Sequence, residues 1–379
     1  ADECYEWVRK CFNNKDIISD ICKESRELFV CFDKKYDNYD ALNRVINNID
    51  KCSKFLKYQQ NNLPVLSVIV PVYNVNTYLK QAILSLCNQT LTDIEIIAVD
   101  DGATDGSGNI LDEFAKVDSR IKVIHKKNQG YGVAINIGLK MANGKYVTIF
   151  EPDDFVEPNM YQKLVYYAKT YNLDVVLSDF IKHQDGQRTK IVIRGYEDKD
   201  RREFSIINSR SEEWVLGESA IWTAIYKKEF LVDKGIVMPE TPGASYQDLV
   251  WKFLTLIQSE KTGYVKEAFY HYRVFSVNSS SKSNKNPLVI FEHYKTLIKK
   301  FNQLGISNEI LFKHLYLDFV FHFNRLNYDG QRLFAINAKK WLLQGKSMGM
   351  GFEDVVYPSK YKSYLNNEVK KVLKCIEEL

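Results

Sequence analysis

Four short stretches of this 379-residue chain concentrate side chains that bind charge or exchange protons. They are Pro71-Val72-Tyr73-Asn74, Asp100-Asp101-Gly102-Ala103-Thr104-Asp105-Gly106, Lys126-Lys127-Asn128-Gln129-Gly130 and Glu151-Pro152-Asp153-Asp154. Crowded carboxylates repel one another unless a positive group joins them. A hard divalent cation with oxygen ligands is the usual partner. Magnesium or manganese takes only one or two carboxylates and fills its shell with water and substrate phosphate. Asp153 and Asp154 suit that need; the plainer alternative is an acidic turn capping a helix that begins near Pro158. Gly102 and Gly106 bracket a tight turn, and Gly130, Gly132 and Gly138 open a helix. The string GYGVAINIG is superficially like a dinucleotide loop. It follows the third apolar run, however, and no GxGxxG follows the first, which disfavours a nicotinamide dehydrogenase.

Each stretch sits where a strand should end. Leu66–Val72, Ile94–Asp100, Ile121–His125, Tyr146–Phe150 and Asp174–Ser178 read as buried strands. Between them, helical spacing marks Thr77–Gln89, Ile110–Phe114, Val133–Met141 and Met160–Thr170. Strands alternating with helices predict an α/β fold, a mostly parallel sheet flanked by helices. In such sheets ligands bind beyond the carboxyl ends of the strands. An aromatic, two acidic clusters and a basic–amide loop delivered to one edge exceed what core packing needs.

Length and composition frame this. The chain is 45% hydrophobic and 13% aromatic with 8 prolines, enough for a sizeable core and against a disordered or collagen-like class. We read three pieces: an N-terminal helical segment over 1–62, an α/β domain over 63–282, and a C-terminal helical, basic segment over 283–379. In the first, Leu42, Val45, Ile46, Ile49 and Cys52 share a helix face, suited to packing or homo-oligomerisation. Five of the seven cysteines fall before residue 53 without a CxxC pair. With Asp2, Glu3 and Glu6 where a signal peptide would be basic, reduced thiols in the cytoplasm are expected, and a zinc site is a weak alternative. The net charge of +4 gives no sign of nucleic-acid binding, and no apolar run is long enough to span a membrane. Residues 281–379 nevertheless carry 16 Lys+Arg against 9 Asp+Glu, among Phe291, Tyr294, Phe312, Tyr316, Phe319, Phe321 and Phe323. That pattern suits peripheral contact with the inner face of an anionic membrane, or merely a core face beside a solvated one.

SVIVPVYNVNTYLKQAILSLCNQTLTDIEIIAVDDGATDGS, NQGYGVAINIGLKMANGKYVTIFEPDDFVEPNMY, IWTAIYKKEFL, ETPGASYQDLVWKF and AFYHYRVFSVNSSS, in that order, resemble the family 2 glycosyltransferases over about residues 64–282. Those are inverting enzymes of the GT-A fold, and this version resembles a bacterial branch that assembles surface polysaccharide or lipopolysaccharide. The resemblance implies a nucleotide-diphospho-sugar donor, a glycan or lipid-linked acceptor, and Mn2+ or Mg2+. It places Pro71, Val72, Tyr73 and Asn74 around base and ribose, with Tyr73 on a uracil-type ring. Asp100 or Asp101 would accept a hydrogen bond from the base. Lys126, Asn128 and Gly130 would belong to a loop closing over the nucleotide. Asp153 would lie near ribose and metal, and Asp154 on the metal. Asp248 would be the base, with Trp222 and Gln247 beside sugar and acceptor. His271 would meet the metal and Arg273 the diphosphate.

Plain alternatives stand beside these roles. Tyr73 and Trp222 could pad the core, His271 could be a hydrogen-bonded strand residue, Asp248 could cap the helix that follows it, and Arg273 could be a surface ion-pair partner. Glu151 stands where many members have Asp, Gln247 where Glu is common, and Ile135 where many have a phosphate-gripping Arg. Those departures leave a non-catalytic nucleotide-sugar-binding scaffold of a glycan-assembly complex as the alternative function.

Overall fold

The computed structural model describes residues 63–184, 187–192, 203–243, 246–274, 286–324, 326–349 and 374–376. The expected helices of 1–62, with five cysteines, and nearly all of the polar stretch 276–286 lie outside the described residues.

Apolar runs become strands where the pattern predicts them. β1 (Leu66–Val72), β2 (Ile94–Asp100), β3 (Ile121–His125) and β4 (Tyr146–Ile149) are parallel, in spatial order β3-β2-β1-β4. The crossovers are α1 (Asn76–Cys87), α2 (Ser107–Val117) and α3 (Tyr131–Met141). Every residue of β1 and β2 is buried, as a sheet covered on both faces requires. After the two-residue β5 (Phe155–Val156) and α4 (Met160–Tyr171), the chain forms β6 (Val175–Gln184), which turns back into β7 (Gln187–Val192). β8 (Phe204–Ile207), α5 (Glu212–Val215) and a short 3-10 turn at Ile221–Thr223 lead to β9 (Ala224–Lys227) and α6 (Lys228–Asp233). α7 (Gln247–Gln258) and β10 (Thr262–Arg273) complete the sheet.

The sheet departs from all-parallel at β9, which lies antiparallel between β4 and β6, while β6 and β10 are parallel. Four residues are too short a run for periodicity to single out. Because β9 reverses between them, β1 to β4, β6 and β10 point the same way. Their carboxyl ends share one edge.

Strand alternation sorts the core into two faces. Val68, Val70 and Val72 pack with Leu79 and Ile83 of α1, Leu111 of α2 and Leu164 of α4. Ile69, Ile97 and Val99 face the other way, toward Ala134 of α3 and Trp251 and Phe253 of α7. That second cluster continues into α8 (Val289–Gln303), α9 (Glu309–Phe323) and α10 (Tyr328–Ser347). Phe291, Tyr294, Phe312, Tyr316, Phe319 and Phe323 are buried in it, and only Phe321 of the aromatics named for that segment is exposed. The aromatic half of the expected membrane-facing surface is therefore core, with Lys295, Lys299 and Lys340 on the solvated side.

Candidate active site

The loops beyond β1, β2 and β3 are cross-linked to one another. Pro71 and Val72 are buried, and the Val72 carbonyl accepts the Asp101 amide at 2.8 Å. The Val72 side chain joins the core, whereas Tyr73 beside it is 48% exposed. Asn74 has a left-handed backbone (φ 51°), and its Oδ1 accepts the Thr104 amide at 2.8 Å. Asp100 accepts the Ala103 amide through Oδ1 and pairs with His125 Nδ1 through Oδ2, both at 2.8 Å. Asp101 meets the Lys126 ammonium and accepts the amides of Gln129 and Gly130, each at 2.8 Å. Lys126, expected over the nucleotide, is thus matched to Asp101, and both shape the Lys126–Gly130 loop. Gly102, at φ 74°, lets that loop in: a Cβ there would lie 2.9 Å from the Asn128 nitrogen. Lys127 and Asn128 remain exposed at the loop crest.

The acidic stretch after β4 is held between β10 and α3. Asp154 is wholly buried; its Oδ1 accepts the Arg273 amide at 2.8 Å and its Oδ2 the Tyr270 hydroxyl at 3.0 Å. Tyr270 in turn accepts the Glu151 amide at 3.1 Å. From the first turn of α3, the Tyr131 hydroxyl donates to Glu151 Oε1 at 2.5 Å. The Arg273 guanidinium donates to the Asp153 carbonyl and to Gln81, between the rings of Tyr78 and Phe155 at 5.0 and 4.9 Å. Burial, with the charge of Asp153 next, holds the Asp154 carboxyl well above the usual range. Burial pushes Glu151 up to about 8, with Asp153 and Asp248 adding to the rise and the Tyr131 hydrogen bond opposing it.

Asp248 enters from α7. The residue before that helix, Tyr246, is left-handed (φ 60°, ψ 12°), so Asp248 is the second helical residue and not its cap. Its Oδ1 accepts the Leu249 amide at 3.0 Å. Burial raises it to about 6; the Leu249 amide and Lys252 oppose the rise and Asp318 adds to it. The Asp248 charge also reaches Glu151 and Tyr131. The Tyr131 amide donates to the Gly243 carbonyl at 3.3 Å and its hydroxyl to Glu151, so the end of β4, the start of α3 and the loop before α7 are drawn together.

The segment before α7 packs tightly on α3. Asn136 donates to the Met238 carbonyl at 2.8 Å and accepts its amide at 2.9 Å. A Cβ on Gly132 would lie 1.9 Å from the Pro239 carbonyl oxygen, which belongs to backbone and cannot swing aside. Gly132→Ala is expected to destabilise the fold by about 1–3 kcal/mol through overpacking, read as a lower thermal unfolding midpoint.

Three of the positions singled out in the sequence are held by neighbours within the protein. Gln247 is buried, and its amide donates to Thr241 Oγ1 at 2.8 Å and the Gly243 carbonyl at 3.1 Å. It braces this loop. His271 places Nε2 2.8 Å from Glu157 and Nδ1 2.7 Å from His183, with its ring stacked on Phe155. Its ring thus lies between Glu157 and His183. Ile135 is fully buried in the core, so the position of the missing arginine does not face the site. Trp222, by contrast, stacks on Tyr272 and lies 4.1 Å from the ring of Tyr270, whose hydroxyl holds Asp154.

Among the described residues no three His, Cys, Asp or Glu side chains form a ready-made metal cage. The donor chemistry still fits a hard divalent cation, which needs only one or two carboxylates before water and phosphate complete its shell. Burial, and next the charge of Asp153, raise the pKa of Asp154, and the nearby Arg273 guanidinium is spent on a carbonyl and an amide oxygen. Asp153 is the more accessible of the pair.

The family description "Glycosyl transferase family 2" matches residues 67–232. Uncharacterized glycosyltransferase EpsJ of Bacillus subtilis (strain 168) is 30% identical over 256 residues, 65% of this chain and 72% of that protein. The chain belongs to glycosyl transferase family 2. Glycosyltransferase GlyG of Streptococcus pneumoniae serotype 4 is likewise 30% identical over 215 residues, 55% of this chain and 70% of that protein. In fold, this family 2 enzyme is similar to S. aureus TarS 1–349 in complex with UDP-GlcNAc, with TM-score 0.65, 19% identity, and coverage of 83% of this chain and 90% of that one. The fold is thus the expected GT-A type. The family match stops before Asp248 and Arg273, so their place at the site rests on geometry. Tyr131 and Tyr270 escaped the sequence reading: each adjoins a residue that drew attention, Gly130 and His271, but their partners lie far away in the chain.

Proposed function

We propose that this family 2 glycosyltransferase is metal-dependent and inverting, and moves a sugar from a UDP-type donor to a hydroxyl of a cell-surface glycan or glycolipid. One observation carries the reading: Tyr131 at the start of α3 bonds Glu151 beyond β4 through its hydroxyl, at 2.5 Å, and the Gly243 carbonyl in the loop before α7 through its amide, at 3.3 Å, which draws the acidic strand end toward the helix that carries Asp248. The UDP-type donor is carried over from TarS, whose structure is known with UDP-GlcNAc.

Tyr73, half-exposed beyond β1, offers a ring face to the base. Asp153, with Asp154 behind it, would hold magnesium or manganese, which supplies positive charge against the negative charge growing on the departing diphosphate. Trp222, stacked on Tyr272, would border the sugar ring. Asp248 takes the proton of the acceptor hydroxyl as its oxygen attacks the anomeric carbon from the face opposite the leaving group. A single displacement with one base inverts that carbon, and no second acid is needed because the diphosphate leaves without a proton. No described helix is long and apolar enough to cross a membrane. We place the reaction in the cytoplasm, at the inner face of the membrane when the acceptor is lipid-linked.

A thermal-shift panel of UDP-, GDP-, CMP- and dTDP-sugars, with and without manganese, tests the donor. The expected result is stabilisation by UDP-sugars that grows with manganese, by about 2.7 kcal/mol at a hundredfold excess over Kd. No shift with any donor would remove the reading.

A further inference from the structure

The polar face of α9 points at α7 and flanks Asp248 on both sides. N-terminal to Asp248 stands Tyr246, in a left-handed conformation that an aromatic residue adopts only under constraint. Its hydroxyl lies 2.6 Å from His322 Nδ1, and the rings meet edge to face. His322 Nε2 lies 3.1 Å from the Pro287 carbonyl, which can only accept. Nε2 therefore carries the proton and Nδ1 accepts the Tyr246 hydroxyl. C-terminal to Asp248, one turn along α7, stands Lys252, only 2% exposed. Its ammonium donates to the Gly217 carbonyl at 2.5 Å and lies 3.3 Å from His314 Nε2. His314 Nδ1 donates to Asp318 at 3.1 Å, and Tyr294 donates to the same oxygen at 2.7 Å. His314, Asp318 and His322 recur every four residues, one face of α9.

We propose that α9 is the positioning element of the catalytic base: His322 locks the turn residue Tyr246, and His314 with Asp318 locks Lys252, so that Asp248 between them is aimed at the acceptor hydroxyl. This rests on Asp248 being the base. The pattern serves no evident packing need, since apolar side chains at these α9 positions would bury as well without partners. Its bonds instead converge on the helical turn that carries the carboxylate. The charged and titratable groups around Asp248 include Lys252 on its own helix, Tyr246 before it, His314, Asp318 and His322 on α9, Glu151 after β4 and Tyr131 on α3.

The test compares Tyr246→Phe, which loses only a hydroxyl, with His322→Leu and with His322→Asn, which keeps an acceptor near the Nδ1 position. Release of UDP from UDP-N-acetylglucosamine with manganese, water being the hydroxyl that attacks the anomeric carbon and takes the sugar, is the assay. Misaiming a reacting group by about 1 Å costs about 10²-fold. Tyr246→Phe and His322→Leu should each lower kcat by roughly that factor with donor KM unchanged, their double variant no further, and His322→Asn should recover most of it. Two readouts stand apart from these. Exchange of the Leu249 amide should quicken about tenfold or more in Tyr246→Phe and His322→Leu, with α10 amides unaffected, even where no donor is turned over. Asp318→Asn should move the acid limb of the rate–pH profile to lower pH, because a negative charge facing Asp248 is gone. Wild-type kcat and wild-type Leu249 exchange in both Tyr246→Phe and His322→Leu would overturn the proposal while leaving the base intact. Full turnover in Asp248→Asn would instead overturn the base itself.

Discussion

Asp248→Asn is expected to lower sugar transfer by about 10²–10⁴-fold, the worth of general-base assistance, while leaving the manganese-dependent stabilisation by donor unchanged. The carboxylate accepts the Leu249 amide and occupies the first turn of α7, so asparagine keeps the shape and loses only basicity. Burial raises Asp248 to about 6, which places it close to neutrality, where a base is both ionised and strong enough to take a proton. The sign follows: the raised group binds a proton as pH falls through about 6, and the transfer rate should fall about tenfold per pH unit below it. The asparagine variant should lack that limb. Steady-state release of nucleoside diphosphate between pH 5 and pH 8 checks both; undiminished turnover in the variant removes Asp248 from the mechanism.

The second large effect belongs to Asp153. Asp153→Asn is expected to abolish the manganese-dependent part of donor stabilisation and to lower kcat/KM by about 10³-fold, the several kcal/mol that a cation supplies to a developing diphosphate. Asp153 is the informative site because Asp154 is wholly buried with both oxygens hydrogen-bonded, so its loss would strike the fold together with the chemistry. Calorimetric titration of manganese into protein and UDP separates these roles. Unaltered manganese binding in a folded Asp153→Asn protein would place the cation elsewhere or exclude it.

Much of this architecture was legible from period and composition. β1 and β2 are continuous apolar runs ended by polar clusters, and that contrast marks both the strand and the rim where ligands bind. What stayed hidden depended on partners distant in the chain. Nothing local says that Lys126 will be matched by Asp101, or that Gln247 will turn inward to Thr241 and Gly243. His271 illustrates the same limit, since nothing local says that Glu157 and His183 will lie on its two nitrogens. Tyr270 was overlooked because tyrosine in a buried strand ordinarily means packing, and only the sheet brings its hydroxyl to Asp154. β9 was missed for want of length. The aromatic tail was ambiguous because a buried helix face and a surface-seeking one have the same spacing, and only the sheet and α7 decide which it is.

The single displacement at the heart of this account leaves a stereochemical record. Proton NMR of the first product formed from an α-linked UDP-sugar and an alcohol acceptor reads the anomeric coupling before any equilibration. The account predicts a β-linked product, because Asp248 activates the acceptor on the face opposite the diphosphate. An α-linked first product would require two displacements or front-face attack, and would contradict it.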